Sequence, residues 1–303
     1  MLPVRNGIGP SCVGLPAGPW PSLLAFLVQR FPAISADAWV QRMARGDVVD
    51  EAGQAVAADD AYTPHTRLYY YRHLPDEPAN PAQETVLYED DWLVVADKPH
   101  FLPVTPGGKH LQQTLLVRLR QSLACPELAP LHRIDRETAG LVLLAKQPAT
   151  RAAYEALFAR HAVRKTYQAI APWRPGLQFP ITRRSHLAEA AHFMQMQERA
   201  DAPRPNAETT IELVEIQGRL ARYQLTPLTG KRHQLRVHMA ALGLPLLGDR
   251  IYPTLLPEGT DDPANPLRLL AHRVAFDDPV TGEPREFVSR QALAFPSQLL
   301  SNR

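Results

Sequence analysis

Leu131-His-Arg-Ile-Asp-Arg-Glu-Thr-Ala-Gly-Leu-Val-Leu-Leu-Ala-Lys146 sets an aspartate between two arginines in a polar loop and runs directly into an apolar stretch. Leu141–Ala145 is continuous and of strand length, so it predicts a buried central strand. Opposite charge within a few ångströms favours an ionised carboxylate, so Arg133 and Arg136 are expected to keep Asp135 anionic. Loops anchored on a rigid strand are where catalytic groups tend to be held. On these residues alone, a structural salt-bridge loop accounts for the pattern equally well.

Outward from that strand, other short apolar runs alternate with helical patterns. Val86–Tyr88 and Trp92–Ala96 are expected to pair across Glu89-Asp-Asp91. Thr150 is expected to cap a helix carrying Tyr154, Leu157, Phe158 and His161, and Lys165–Ile170 reads as a strand. A helix over about residues 233–242 would bury Leu235, His238, Met239 and Leu242 and stop at Gly243. Leu269–Phe276 and Arg285–Val288 form a late hairpin around Asp278-Pro-Val-Thr-Gly282. No internal repeat is present. The sum predicts an α+β fold: a large, mostly antiparallel mixed sheet with flanking helices.

Before it lies a small α/β module. Residues 1–16 are rich in Gly and Pro and read as a loose tail. In residues 17–75, Leu23, Leu24, Leu27 and Phe31 form one helical stripe. A second helix starts at Ser35 as N-cap, buries Trp39, Val40 and Met43, and stops at Gly46. Val48-Val49 and Ala55-Val56 flank the turn Asp50-Glu-Ala-Gly53, and Thr66–Tyr71 adds a strand. A Pro-rich linker, residues 76–83, then separates this module from residues 84–303. The segment 178–205 receives no role.

Composition narrows the class of protein. Of 303 residues, 45% are hydrophobic and 21% charged, as in an ordinary globular protein, and the net charge is only +2. The basic residues are nevertheless bunched. Residues 217–238 hold Arg219, Arg222, Lys231, Arg232 and Arg236 with no acid, a distribution that attracts polyanions. Cys12 and Cys125 are the only cysteines, which excludes a disulfide framework and any cysteine-based metal spacing. No apolar run approaches the roughly 20 residues that span a bilayer, and no secretory signal opens the chain. The expectation is a cytoplasmic protein without a membrane association.

The stretch His132-Arg133-Ile134-Asp135-Arg136-Glu137-Thr138-Ala139-Gly140-Leu141 resembles the signature of the RluA-type pseudouridine synthases, His-Arg-Leu-Asp-Arg-x-Thr-Ser-Gly-Leu. Four further elements resemble that family in order. They are Asp97-Lys98-Pro99 with Gly107-Gly108, Lys165-Thr-Tyr167-Gln-Ala169, Thr229-Gly-Lys-Arg-His-Gln-Leu-Arg-Val-His238, and Leu247-Gly248-Asp249. Ala139 stands where serine is usual, Thr105-Pro106 where His-Pro is common, and Ala271-His272 inverts a frequent order.

The resemblance implies isomerisation of uridine in a structured ribosomal or transfer RNA stem-loop, with no metal and no cofactor. It makes Asp135 the nucleophile, attacking C6 of the uracil or C1′ of the ribose, or assisting a glycal route. Tyr167 would lie against the base and transfer protons, with burial or a nearby cation helping its phenol. Arg236 would be the ionic partner of Asp135. Arg133 would help fill the gap left when uridine leaves the helical stack. Arg136, Lys231 and Arg232 would contact phosphates, with Lys98 and Leu235 also on the substrate side. His132, His233 and His238 read as packing or hydrogen-bonding residues, and Thr138, Gly140 and Asp249 as structural. The chain is expected to be a monomer with no obligatory protein partner. A non-catalytic RNA-binding protein on the same scaffold is the rival. The module 17–75 more loosely resembles a small ribosomal-protein RNA-binding domain. Its Arg30, Arg42, Arg45, Arg67 and Arg72 are outnumbered by Asp37, Asp47, Asp50, Glu51, Asp59 and Asp60, so stabilising the enzyme is an equal reading.

Overall fold

The computed structural model describes residues 2–74, 77, 79–257, 259 and 261–296. Pro75, at the end of the expected module, and Asp76 and Pro78 of the expected linker lie outside these residues. The chain forms two compact units, Met1–Ala79 with Thr105–Pro126, and Asn80–Val104 with Glu127–Arg303.

The first unit contains β1 (Ser11–Gly14), α1 (Leu23–Arg30), α2 (Ala36–Ala44), β2 (Val48–Val49), β3 (Arg67–Tyr70) and α3 (Leu115–Ser122). The hydroxyls of Ser22 and Ser35 cap α1 and α2, each accepting a backbone N–H at 3.2 Å. Leu23, Phe26, Leu27, Trp39, Met43 and Leu68 are buried together. Val40, expected in this core, is 41% exposed, because it lies one residue past Trp39 and so on another face of α2. The expected loose tail contains a strand: β1 pairs with one edge of β3, placing Val13 in the core, while β2 takes the other edge. The stretch from Thr105 to Pro126, which by sequence lies inside residues 84–303, packs in this unit. The carboxylate of Glu77 accepts the N–H groups of Leu111, Gln112 and Gln113 at 2.7–2.8 Å, and Leu111 and Val117 pack on Ile8.

The second unit contains β4 (Thr85–Glu89), β5 (Leu93–Lys98), β6 (Ala129–Pro130), β7 (Ala139–Ala145), α4 (Pro148–Ala159), β8 (Arg164–Pro172), β9 (Ile181–Ser185), β10 (Leu187–Glu189), β11 (Met196–Glu198), β12 (Ala207–Gln217), β13 (Leu220–Pro227), α5 (Gln234–Ala241), β14 (Leu269–Asp277) and β15 (Pro284–Val288). Its large sheet runs β4-β5-β7-β14-β8-β13-β12-β9, with β15 on β14 and β6 on β7. Only the β7–β14 pairing is parallel among the described strands, so the mostly antiparallel α+β expectation stands.

Every residue of β7 is buried, as its unbroken apolar run requires. Thr150 is not the cap of α4. That helix begins at Pro148, whose missing N–H costs nothing in a first turn, with Gln147 before it. Segment 178–205, left without a role by the sequence, supplies β9 and the hairpin β10–β11. The turn end of this hairpin is pinned where the Met196 N–H donates to the Tyr252 hydroxyl at 2.7 Å. No helix among the described residues is long and apolar enough to cross a membrane.

Candidate active site

Three elements of the second unit deliver the expected residues. The loop before β7 carries Asp135, β8 carries Tyr167, and α5 carries Arg236. The loop turns into β7 through Gly140, whose φ is +111° and where a Cβ would lie 2.3 Å from the Ala271 carbonyl oxygen of β14. Only glycine permits both the backbone conformation and that close approach. Inside the loop, the Thr138 N–H donates to the Asp135 carbonyl at 3.1 Å, and Thr138 is buried.

Arg236 is buried to 1% exposure and meets three carboxylates. Its Nε and Nη2 donate to the two oxygens of Asp249 at 2.9 and 2.7 Å. Its Nη1 donates to Asp135 Oδ2 at 3.2 Å and lies 3.8 Å from Glu137 Oε2. Burial works against its charge, but the bonds to Asp249 and the charges of Asp249, Asp135 and Glu137 hold the guanidinium above the usual arginine range. Asp135 keeps about a quarter of its side chain exposed, and its Oδ1 accepts no hydrogen bond from a described residue. Facing that oxygen at 3.9 Å is His233 Nε2. His233 sits in the left-handed region (φ 53°) at the start of α5, and burial pulls its imidazole down despite Asp135. At rest it is a neutral ring.

Tyr167 is half-buried, and its hydroxyl makes no hydrogen bond to another described residue. Burial was expected to help this phenol ionise. It does the opposite: burial, and then the nearby charge of Asp135, push it up beyond its usual range, because both penalise a phenolate. Tyr167 is therefore a neutral phenol.

The remaining expected residues divide. Arg133, Lys231 and Arg232 are exposed. Arg136 is not a free phosphate contact, since its guanidinium forms a two-bond pair with Asp261 at 2.8 and 2.7 Å and lies 3.3 Å from Glu137. Lys98 is not on the substrate side. It is wholly buried, donates to the carbonyls of Pro99 and Arg136 at 3.0 and 3.1 Å, and burial lowers its ammonium to about 7 against the charges of Glu137 and Asp135. Leu235 is 7% exposed and belongs to the core against β8 and β13. These last two corrections share a cause: an apolar stem or side chain on a buried strand, or on a helix face against the sheet, is drawn inward whatever its motif suggests.

His132 accepts the Leu143 N–H at 3.1 Å and stacks on Phe158. His238 lies between the hydroxyls of Ser185 and Thr209, both at 3.0 Å. Burial drives these imidazoles down to about 3 and about 4. Sequence reasoning missed Glu137 and Asp249 as neighbours of Arg236; the only local signal was Leu247-Gly248-Asp249, whose aspartate reads as structural.

The family model described as RNA pseudouridylate synthase matches residues 92–241. An uncharacterized RNA pseudouridine synthase of Synechocystis sp. is 32% identical over 241 residues, 76% of this chain and 79% of the relative. The dual-specificity RNA pseudouridine synthase RluA of Escherichia coli K12 is 32% identical over 201 residues, 65% of this chain and 88% of that one. The solved structure of human RNA pseudouridylate synthase domain containing 1 shares the fold, with a TM-score of 0.57 and 22% identity over 71% of this chain and 86% of that one. The chain belongs to the RNA pseudouridine synthase family, in its RluA-type branch.

Proposed function

We propose that this chain isomerises specific uridines to pseudouridine in a structured ribosomal or transfer RNA, with Asp135 as nucleophile. The observation that carries the reading is the held but uncovered carboxylate: one oxygen of Asp135 bonded to buried Arg236, the other unbonded and a quarter of the side chain open. A carboxylate of this kind can form and release a covalent link while the N1–C1′ bond breaks and the C5–C1′ bond forms. The C5 proton is lost and N1 gains one, so the reaction is internally balanced. Tyr167 enters as a neutral phenol against the base, and a proton it accepts is passed on in the same step, since a free phenolate is penalised there. Exposed Arg133 helps occupy the space of the extruded uridine, at a flipping cost of about a few kcal/mol, and exposed Lys231 and Arg232 meet phosphates.

The relatives support the substrate class, since RluA is a dual-specificity RNA pseudouridine synthase and a yeast relative is a mitochondrial tRNA pseudouridine(32) synthase. In residues 17–75, an open cleft lined by Phe26, Arg30, His65 and Arg67 supplies one basic edge, which favours an auxiliary RNA contact for an otherwise acidic module. We infer a monomer in the cytoplasm.

The test is pseudouridine mapping of total RNA from a strain lacking the protein, followed by complementation. Wild type should restore the missing site, whereas Asp135→Asn should bind the RNA yet lose about 10⁴-fold or more in rate. Restoration of the site by Asp135→Asn would remove the assignment.

A further inference from the structure

Asp249 has no part in the reaction assigned above, yet it is the strongest partner of Arg236. Its side chain is fully buried and accepts four N–H groups: Nε and Nη2 of Arg236 at 2.9 and 2.7 Å, and the backbone N–H groups of Ile251 and Tyr252 at 2.8 and 3.1 Å. Such a carboxylate has no oxygen to offer a substrate. Its effect must run through the guanidinium.

A guanidinium left to itself pairs with a carboxylate through two parallel bonds, covering both oxygens. Here Asp249 holds the Nε/Nη2 side of the guanidinium, and in that fixed orientation only Nη1 reaches Asp135, at 3.2 Å. Glu137 Oε2 stands 3.8 Å from the same nitrogen, beyond hydrogen-bond distance, so it does not accept in place of Asp135. We propose that Asp249 is a positioning residue: by fixing the orientation of the Arg236 guanidinium it presents Nη1 alone to Asp135, at one oxygen, and so keeps Asp135 Oδ1 free to attack. This rests on Asp135 being the nucleophile.

The loop is built to hold that carboxylate. Gly248, with φ +77°, lets the backbone pass where a Cβ would lie 2.3 Å from the Pro266 carbonyl oxygen, and Asp249 follows at once. The bonds to Ile251 and Tyr252 then fix it from its own loop, and the Tyr252 ring lies 5.5 Å from the Arg236 guanidinium carbon. Position is set from both sides.

Asp249→Asn and Asp249→Glu test the idea, using single turnover on a transcript carrying the uridine mapped in the deletion strain. Rates are normalised to folded protein, well below each variant's Tm, and the Kd for the same transcript is measured alongside. Asp249→Asn should lower the chemical rate about 100-fold, as expected for a misplaced reacting group, with Kd changed less than twofold. Asp249→Glu keeps the charge but displaces it, and should lose about tenfold in rate at the same Kd. If Asp249→Asn does not fold, Asp249→Glu decides. An unchanged rate in a folded variant, a rate loss matched by lost RNA binding, or failure of both variants to fold would each overturn the proposal. Should Asp135→Asn be active, the nucleophile reading itself fails. If Asp135→Asn is dead while Asp249→Asn runs at full rate, only the positioning role fails.

Discussion

Two loops bring an aspartate to the same guanidinium, and they leave those aspartates in different states. The loop before β7 presents Asp135 with one donor and partial exposure; the loop after α5 presents Asp249 with four donors and none. Residue type and charge are identical. The difference lies in how many N–H groups each backbone path supplies, and it separates a carboxylate that can react from one that can only hold.

Removing the shared partner breaks the comparison most severely. Arg236→Ala strands buried Asp249 without its counter-charge, and should cost about 3–5 kcal/mol in urea unfolding as well as abolishing activity. Asp135, being partly solvated, contributes little to that loss. Next come the glycines that shape each loop. Gly140→Ala and Gly248→Ala both force a Cβ to 2.3 Å from a carbonyl oxygen at positive φ, and each should lower stability by at least about 2 kcal/mol.

A pH experiment sharpens the Asp135 side, where buried Lys98 holds the Arg136 carbonyl. Its ammonium is lowered to about 7 in the folded chain. Between there and the ordinary lysine value the unfolded chain binds more protons, so the Lys98 contribution rises with pH across that window and is lost as pH falls toward 7. The stability of wild type minus that of Lys98→Met should therefore increase from pH 7 to 10 in chemical denaturation; a flat difference refutes it. The smallest effect is expected for Arg136→Ala. Its pair with Asp261 is partly exposed, so stability should change by less than about 1 kcal/mol. RNA affinity should change less than about twofold, which filter binding would check.

What the sequence made legible follows the range of the interactions. The β7 run, the caps Ser35 and Pro148's helix, and the β14–β15 hairpin depend on neighbours, and all but the cap at Thr150 were readable. The approach of Arg236 to Asp135, 101 residues apart, was reached through family resemblance and not through spacing. Nothing local says that Asp249 turns back onto Arg236, or that Lys98 and Leu235 face inward. Those facts belong to the packing of α5 against the sheet and to the burial of β5 within it. The strand at Ser11–Gly14 was hidden for a similar reason, because its partner β3 lies more than fifty residues on.

The position of β14 has a consequence for synthesis. It lies between β7 and β8, yet it is made after every other strand of the large sheet except β15. A nascent chain that has emerged through β13 holds two ribbons, β4-β5-β7 and β8-β13-β12-β9, with the inner edge of β8 and the Ala139–Gly140 end of the inner edge of β7, beyond the part held by β6, unpaired and able to recruit other strands. Residues 269–277 close both edges in one event. A chain halted before those residues have emerged would be at its most adhesive.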